Sequence, residues 1–252
     1  MKTYQKLCTE FYDLDPKTHR DGNAYDGFYM DRARQANGPI LEPMCGTGRF
    51  LIPMLQAGLQ AEGFDASAHM LAALHKHYAR ATTNQPPVWQ SRVEDFHTDT
   101  RYKLIFVPFG SWGLITDIKV AKQCLKRMYD HLQSGGKFIL EIETVASVPQ
   151  PCGIWRRGVH TRSNGSKIAI NSLANFDKES QIFTATNRYE SIVDGVVDET
   201  EHEEFLMYLY HFDEMDKLLR DVGFTHIEKY QDYQLNPAVD CDAHILIYEA
   251  TK

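Results

Sequence analysis

The chain has no basic excess: its 252 residues carry 27 Lys and Arg against 34 Asp and Glu, a formal net charge of −7. Nucleic-acid binding needs clustered Lys and Arg to neutralise phosphates, so that class of partner is disfavoured. Cysteine is sparse and scattered, at Cys8, Cys45, Cys124, Cys152 and Cys241. No C-x-x-C pair and no Cys/His group has zinc-ligand spacing, so neither a metal centre nor a disulfide framework is expected. Long apolar runs are missing as well, none approaching the ~18 residues of a membrane span. The opening stretch MKTYQKLCTEFYDLDP lacks the apolar core of a secretory signal. A soluble, cytoplasmic protein with reduced thiols and no membrane partner is the expectation.

What the chain does have is enough apolar material, 43% of its residues, for one large domain or one domain with an insertion. Residues 1–38 are polar and rich in tyrosine (Tyr4, Tyr12, Tyr25, Tyr29) and read as two short helices around the loop DPKTHRDGN. From 39 onward strand and helix alternate. Strands are expected at 39–42, 61–64, 88–91, 103–107 and 137–143, with a turn at Gly135-Gly136. Helices are expected at 47–57, 67–79 and 118–132, the first ending at Gly58. Short apolar strands alternating with helices predict a parallel sheet covered on both faces.

The pattern changes between about 147 and 210, where no helix is evident. Period-two runs appear instead, at 167–176, 181–193 and 196–210, and Asp194-Gly195 between the last two is a type I′ hairpin signal. Helical spacing returns at 213–222, stops at Gly223, and two final strands follow at 225–230 and 244–250. The expected architecture is α/β: a Rossmann-like, doubly wound seven-stranded sheet whose last strand is antiparallel, with a small inserted antiparallel sheet. The expected divisions are a helical cap over 1–38, a core over 39–146 and 211–252, and an insertion over 147–210, serving as acceptor lid or dimer contact.

Chemistry concentrates at EPMCGTGRFL, residues 42–51. Glycines one residue apart, just past an apolar run, suit a strand-to-helix turn or a close backbone approach to a ligand. The phosphate loop G-x-x-x-x-G-K-[ST] is absent, because no lysine follows. A dinucleotide loop needs its third small residue at 51, where Leu51 stands. Glu42 would end the first strand at the carboxyl edge of the sheet, where ligands bind in such folds. A carboxylate there repels a pyrophosphate and attracts a cation.

This stretch resembles the first motif of class I S-adenosylmethionine-dependent methyltransferases, acid-x-G-C-G-T-G. GFDASAHM (63–70), VEDF (93–96), IFVPFGSW (105–112), SGGKFILEIE (134–143) and YLYHFDEMDKLLRDVGFTHIEKY (208–230) resemble the later motifs in order. The resemblance implies S-adenosylmethionine as cofactor and S-adenosylhomocysteine as product. It implies cofactor contacts from Tyr12, Glu42, Met44, Gly46, Gly48, Arg49, Asp65, Ala66, Met70 and Pro108, with Asp65 on the ribose hydroxyls. At the adenine it leaves open the Val93 amide and the Glu94 or Asp95 side chain. Two positions depart from the family: Met44 stands where a glycine is usual, and Arg92 where an acid is frequent. Asp65 has a competing role as helix cap, which Ser67 could fill instead.

Methyl transfer from a sulfonium mainly requires alignment, so the acceptor is less legible than the cofactor. Acceptor contacts are expected from Tyr4, Phe109, Trp112, Trp155, Tyr189 and Tyr210; Trp112 reads equally as a core anchor. His160 and His211 are the candidate bases, each also readable as a structural histidine. The insertion, acidic and aromatic, suits a small-molecule acceptor, methylated at nitrogen or oxygen. A catalytically silent S-adenosylmethionine-binding protein and an RNA or protein methyltransferase stand as alternatives. The chain is expected to be a monomer or homodimer.

Overall fold

The computed structural model describes residues 4–15, 24–79, 85–231, 233 and 239–252. The expected loop 15–23 lies, but for Asp15, outside the described residues. In chain order the elements are α1 (Lys6–Leu14), α2 (Ala24–Ala36), β1 (Ile40–Pro43), α3 (Leu51–Gln56), β2 (Ala61–Asp65), α4 (Ala68–Tyr78), β3 (Val88–Gln90), β4 (Tyr102–Val107), α5 (Ile118–His131) and β5 (Leu132–Glu143). There follow β6 (Trp155–Thr161), β7 (Lys167–Asp177), β8 (Ile182–Val193), β9 (Val196–Tyr208), α6 (Glu214–Val222), β10 (Thr225–Tyr230) and β11 (Ile245–Thr251).

One sheet has seven strands in the order β10-β11-β5-β4-β1-β2-β3. β11 runs antiparallel to both neighbours, and the β1, β2, β3, β4 and β5 pairings are all parallel. β4 shows why the sheet needs two helical layers. Ile105 and Val107 join Leu125, Met128, Met215 and Leu219 of α5 and α6 in one core. Leu104 and Phe106 point the other way, into a second core with Tyr29, Leu51 and Leu74 of α2, α3 and α4. A strand apolar on both faces is the mark of a buried parallel sheet.

Between β5 and α6 the chain builds a separate antiparallel sheet, β6-β7-β8-β9. Its β8–β9 turn is the expected one: Asp194 and Gly195 have φ of 50° and 82°, the two left-handed residues a type I′ turn requires. Sequence reading missed β6. WRRGVHT is an edge strand with little burial, so no alternation is written into it. Two boundaries also moved. α3 begins at Leu51 and not at 47, because Met44, Gly46 and Gly48 take positive φ and keep residues 44–50 in a turn. β5 begins at Leu132, through Gly135-Gly136, with its register against β4 slipping between Tyr102 and Leu104.

The acidic residues of β9 have an unexpected partner, the N-terminal helix. α1 lays Leu7 and Cys8 on Ile168 and Tyr189, and Gly158 leaves space for the Phe11 ring. No side chain of α1 caps its own first turn. Instead the Glu201 carboxylate accepts the Leu7 and Cys8 amides at 2.9 and 3.0 Å. Glu10 takes a two-pronged bond from Arg162, at 2.6 and 2.8 Å. A carboxylate at a helix N-terminus satisfies orphan donors and favours the dipole. Glu201→Ala should therefore speed hydrogen exchange at Leu7 and Cys8 about tenfold, on the order of 1–2 kcal/mol of local protection, with the seven-stranded sheet unaffected. Exchange mass spectrometry resolved to the first twenty residues checks this.

Candidate functional site

A cavity of about 570 Å³ opens at the carboxyl ends of β1, β2, β3 and β4. Its floor is the turn after β1. Met44 sits at φ 59°, Gly46 at 53° and Gly48 at 87°. Met44 thus occupies the left-handed backbone that a glycine would adopt freely, at a cost of roughly 1–2 kcal/mol. This is the physical content of its departure from the family motif: the backbone path is kept and the strain is borne by a side chain that packs on the core.

Leu51 is accommodated in a comparable way. A Cβ on Gly63 of β2 would lie 3.0 Å from Leu51 Cδ2 and 2.9 Å from the Glu42 carbonyl. The small residue that lets turn and strand approach is therefore on the strand and not at 51. At Gly48 a Cβ would stand 2.8 Å from Leu74 and 2.9 Å from Ile52, on top of its positive φ. Gly48→Ala is expected to cost about 1–3 kcal/mol, lowering the unfolding midpoint by several degrees in a thermal melt.

Asp65 ties this turn to the next strand. Its Oδ2 accepts the Gly46 amide at 2.9 Å and its Oδ1 the Ser67 amide at 2.8 Å. Ser67 caps α4 through its own hydroxyl, which accepts the Met70 amide at 3.2 Å. Asp65 is therefore not the cap; both of its oxygens accept backbone amides while the carboxylate lines the cavity. Burial raises its carboxyl, against the opposing pull of these backbone bonds.

Glu42 is the least compensated group in the site. It is 2% exposed, and its Oε2 is buried with no hydrogen-bond partner. Burial first, and the Asp65 charge second, hold its carboxyl well above the usual range; a Leu51 amide opposes them. A buried charged oxygen without a partner is costly, and one that lines a cavity implies a ligand that supplies the donor or the counter-charge. The cations on the cavity wall are engaged elsewhere. Arg49 lies over the Phe109 ring at 4.3 Å and beside the Tyr12 hydroxyl, and Arg92 pairs with Glu94 at 2.7 Å.

Of the residues singled out from sequence, Tyr4, Tyr12, Glu42, Met44, Gly46, Arg49, Asp65, Ala66, Met70, Val93, Glu94, Pro108 and Phe109 line the cavity. Gly48 shapes the turn from below. Asp95 does not line the cavity and is exposed. The others lie outside it too. Trp112 is fully buried with its ring 5.9 Å from Phe138, the core-anchor alternative. Tyr210 is fully buried beside Tyr208, and Tyr189 packs under Phe11 of α1. Trp155 is 56% exposed on an edge strand. Neither candidate base reaches the cavity: His160 packs against Phe11 at 4.4 Å, and His211 is an exposed residue whose amide bonds Glu214. Ser111, which follows the fourth strand with Phe109, lines the cavity too, and sequence reading passed over Gln90, Ser91, Leu114 and Ile115 in the same wall. Their only signal was position, at the end of β3 and in the turn that follows β4.

Residues 40–136 match the family model described as a methyltransferase domain. The chain carries a methyltransferase domain. No curated protein matches the chain. Among solved structures it is similar to an S-adenosylmethionine-dependent methyltransferase from Clostridium acetobutylicum, at 18% identity and TM-score 0.78, covering 96% of each chain. It is similar to a sugar N-methyltransferase from Streptoalloteichus, at 18% identity and TM-score 0.74, covering 98% of this chain and 96% of that one. It is also similar to an amino pentose methyltransferase from Micromonospora echinaspora with S-adenosylmethionine bound, at 15% identity and TM-score 0.70, covering 100% and 98%. At these identities the likeness establishes the fold: the methyltransferase domain is completed by the antiparallel sheet and the last two strands into the full-length fold of those enzymes. No helix among the described residues is long and apolar enough to cross a membrane.

Proposed function

We propose that this chain is an S-adenosylmethionine-dependent methyltransferase acting on a small-molecule acceptor at nitrogen or oxygen. The observation that carries the reading is Glu42: an unpartnered, buried carboxylate oxygen lining a cavity at the carboxyl edge of the sheet. S-adenosylmethionine brings an α-ammonium and a sulfonium, whose methyl group is the one transferred. A dinucleotide would set its pyrophosphate against the same carboxylate.

In this reading Glu42 attracts the cationic end, and Asp65, held rigid by two backbone amides, accepts the ribose hydroxyls. Val93 and Glu94 meet the adenine. Tyr12 and Arg49, beside one another, close the floor at the amino-acid end. Phe109, on a left-handed backbone at φ 56°, walls the side where the acceptor approaches. Alignment supplies the rate, because the leaving group is already activated. No histidine base is assigned, since neither His160 nor His211 lines the cavity. The antiparallel sheet and α1, fastened together, form the acceptor side.

Isothermal titration with S-adenosylmethionine and S-adenosylhomocysteine tests the cofactor. Micromolar binding of both is expected, and binding of neither would overturn the reading. Transfer of a labelled methyl group into a pool of small metabolites then separates an enzyme from a silent binder.

A further inference from the structure

The inner face of the antiparallel sheet holds two more side chains, each with a buried oxygen that lacks a conventional hydrogen-bond donor. Glu203 of β9 and Asn187 of β8 are directly paired across the strands. They are 4% and 7% exposed. Glu203 Oε2 and Asn187 Oδ1 are each buried and without a hydrogen-bond partner. Side chains paired this way have Cβ atoms about 5 Å apart, so both orphan oxygens can meet one ligand group.

The neighbours do not complete them. Glu203 spends Oε1 on the Tyr4 amide at 3.0 Å. The Cys8 thiol hydrogen-bonds the Glu203 carboxylate, but a thiol is a weak donor and carries no charge. Ser172, the residue opposite Asn187 on β7, gives its Oδ1 no hydrogen bond. Glu201, the next residue on this face, is another acid and is occupied by the amides of α1. Among the described residues no Lys or Arg forms an ion pair with Glu203. One water could satisfy two neutral acceptors, but it would leave the charge uncompensated.

The pair adjoins the cavity through one residue. Tyr4 lines the cavity, yet its amide is bonded to Glu203 and its ring meets Phe205 edge-on at 6.0 Å. Its carbonyl accepts the Ser67 hydroxyl at 2.7 Å, next to Asp65. Further along β9, Met207 packs against Gly113 in the turn after β4. The inner face of β8 and β9 thus lies across Tyr4 from the cavity, whose own lining stops at Tyr4.

We propose that Glu203 and Asn187 form an acceptor subsite that binds an amino group of the methyl acceptor as a hydrogen-bond donor and cation. An ammonium offers three donors and a positive charge; the site offers two acceptors and a negative one. The Tyr4 and Phe205 rings beside it add faces that attract cations. This rests on the cofactor reading above for the identity of the neighbouring ligand. It makes the two residues specificity determinants and assigns them no part in proton transfer.

The test uses the full chain with S-adenosylhomocysteine present and two matched probe pairs, glucosamine with glucose and tyramine with tyrosol, whose members differ by an amine in place of a hydroxyl. Ligand-observed NMR measures their binding, and calorimetry measures S-adenosylhomocysteine. At least one amine is expected to bind the wild type ten times or more tightly than its hydroxyl partner. Glu203→Gln keeps an oxygen for the Tyr4 amide and turns a donor toward the amine; Asn187→Leu removes the second acceptor. Each should weaken the amine tenfold or more while S-adenosylhomocysteine affinity stays within threefold. Binding of neither amine to the wild type, or equal amine binding in both variants, would overturn the subsite. Failure of the wild type to bind S-adenosylhomocysteine is the separate failure of the cofactor reading, and the amine comparison still decides the subsite.

Discussion

Asp65→Asn is expected to lower affinity for S-adenosylhomocysteine about a hundredfold, on the order of 2.7 kcal/mol, and to lower the unfolding midpoint of the ligand-free chain. The substitution preserves shape, so packing does not explain the loss. Both oxygens of Asp65 accept backbone amides, one from Gly46 and one from Ser67. An asparagine must turn its amino group toward one of them, donor against donor. Hydrogen bonds to a charged acceptor contribute roughly 1.5–3 kcal/mol, and a buried amide left unpaired costs a similar amount. The Gly46 turn would lose its tether while the cofactor lost its ribose acceptor. Asp65→Glu keeps the charge but lengthens the arm, and should rank between the wild type and asparagine. Calorimetry and a thermal melt on the same preparations check both halves. An asparagine variant that binds S-adenosylhomocysteine within threefold of the wild type would remove Asp65 from the site.

The elements legible in the sequence were those whose cause is local. Asp194-Gly195 wrote its hairpin because only a few residue types tolerate two left-handed residues in succession. Glu42, Gly46, Gly48 and Asp65 were legible because one turn and one strand end bring them together. What was not legible depends on partners far apart in sequence. The Gly63 contact that makes room for Leu51 looks, in sequence, like any glycine in a strand. The acids of β9 read as part of an acidic insertion, yet Glu201 and Glu203 hold amides almost two hundred residues away. His160 was attractive for its chemistry, but its neighbour Phe11 comes from a helix whose docking no local pattern records. Tyr189 and Tyr210 lie outside the cavity lining for the same reason: aromatic alternation says that a face is covered, not by what.

Glu42→Gln should separate binding from stability, with opposite signs. Loss of the negative charge is expected to weaken S-adenosylmethionine ten- to a hundredfold, about 1.4–2.8 kcal/mol. The ligand-free chain should melt higher, because the wild type holds a carboxylate that is buried and incompletely paired. The pH dependence gives the sign independently. Burial, with Asp65 adding, raises the folded carboxyl well above its unfolded value of about 4.3. The folded chain therefore binds this proton more tightly than the unfolded chain does. The penalty is absent below about pH 4.3, grows as pH rises toward the folded value, and stays constant above it. Lowering the pH through that window stabilises the ligand-free wild type by this contribution, and Glu42→Gln removes it. Glu141, Glu143, Asp65 and Glu203 are also raised by burial, so the pH dependence should shrink in the variant without vanishing. A cationic ligand acts in the opposite direction: it needs the carboxylate and expels the proton. S-adenosylmethionine affinity should thus fall as the pH drops through the folded value in the wild type, and should flatten in Glu42→Gln. Calorimetry in two buffers of different ionisation enthalpy reads the released proton directly. No proton release and an unchanged affinity in the variant would show that Glu42 faces no cation, and the cofactor reading would lose the observation that carries it.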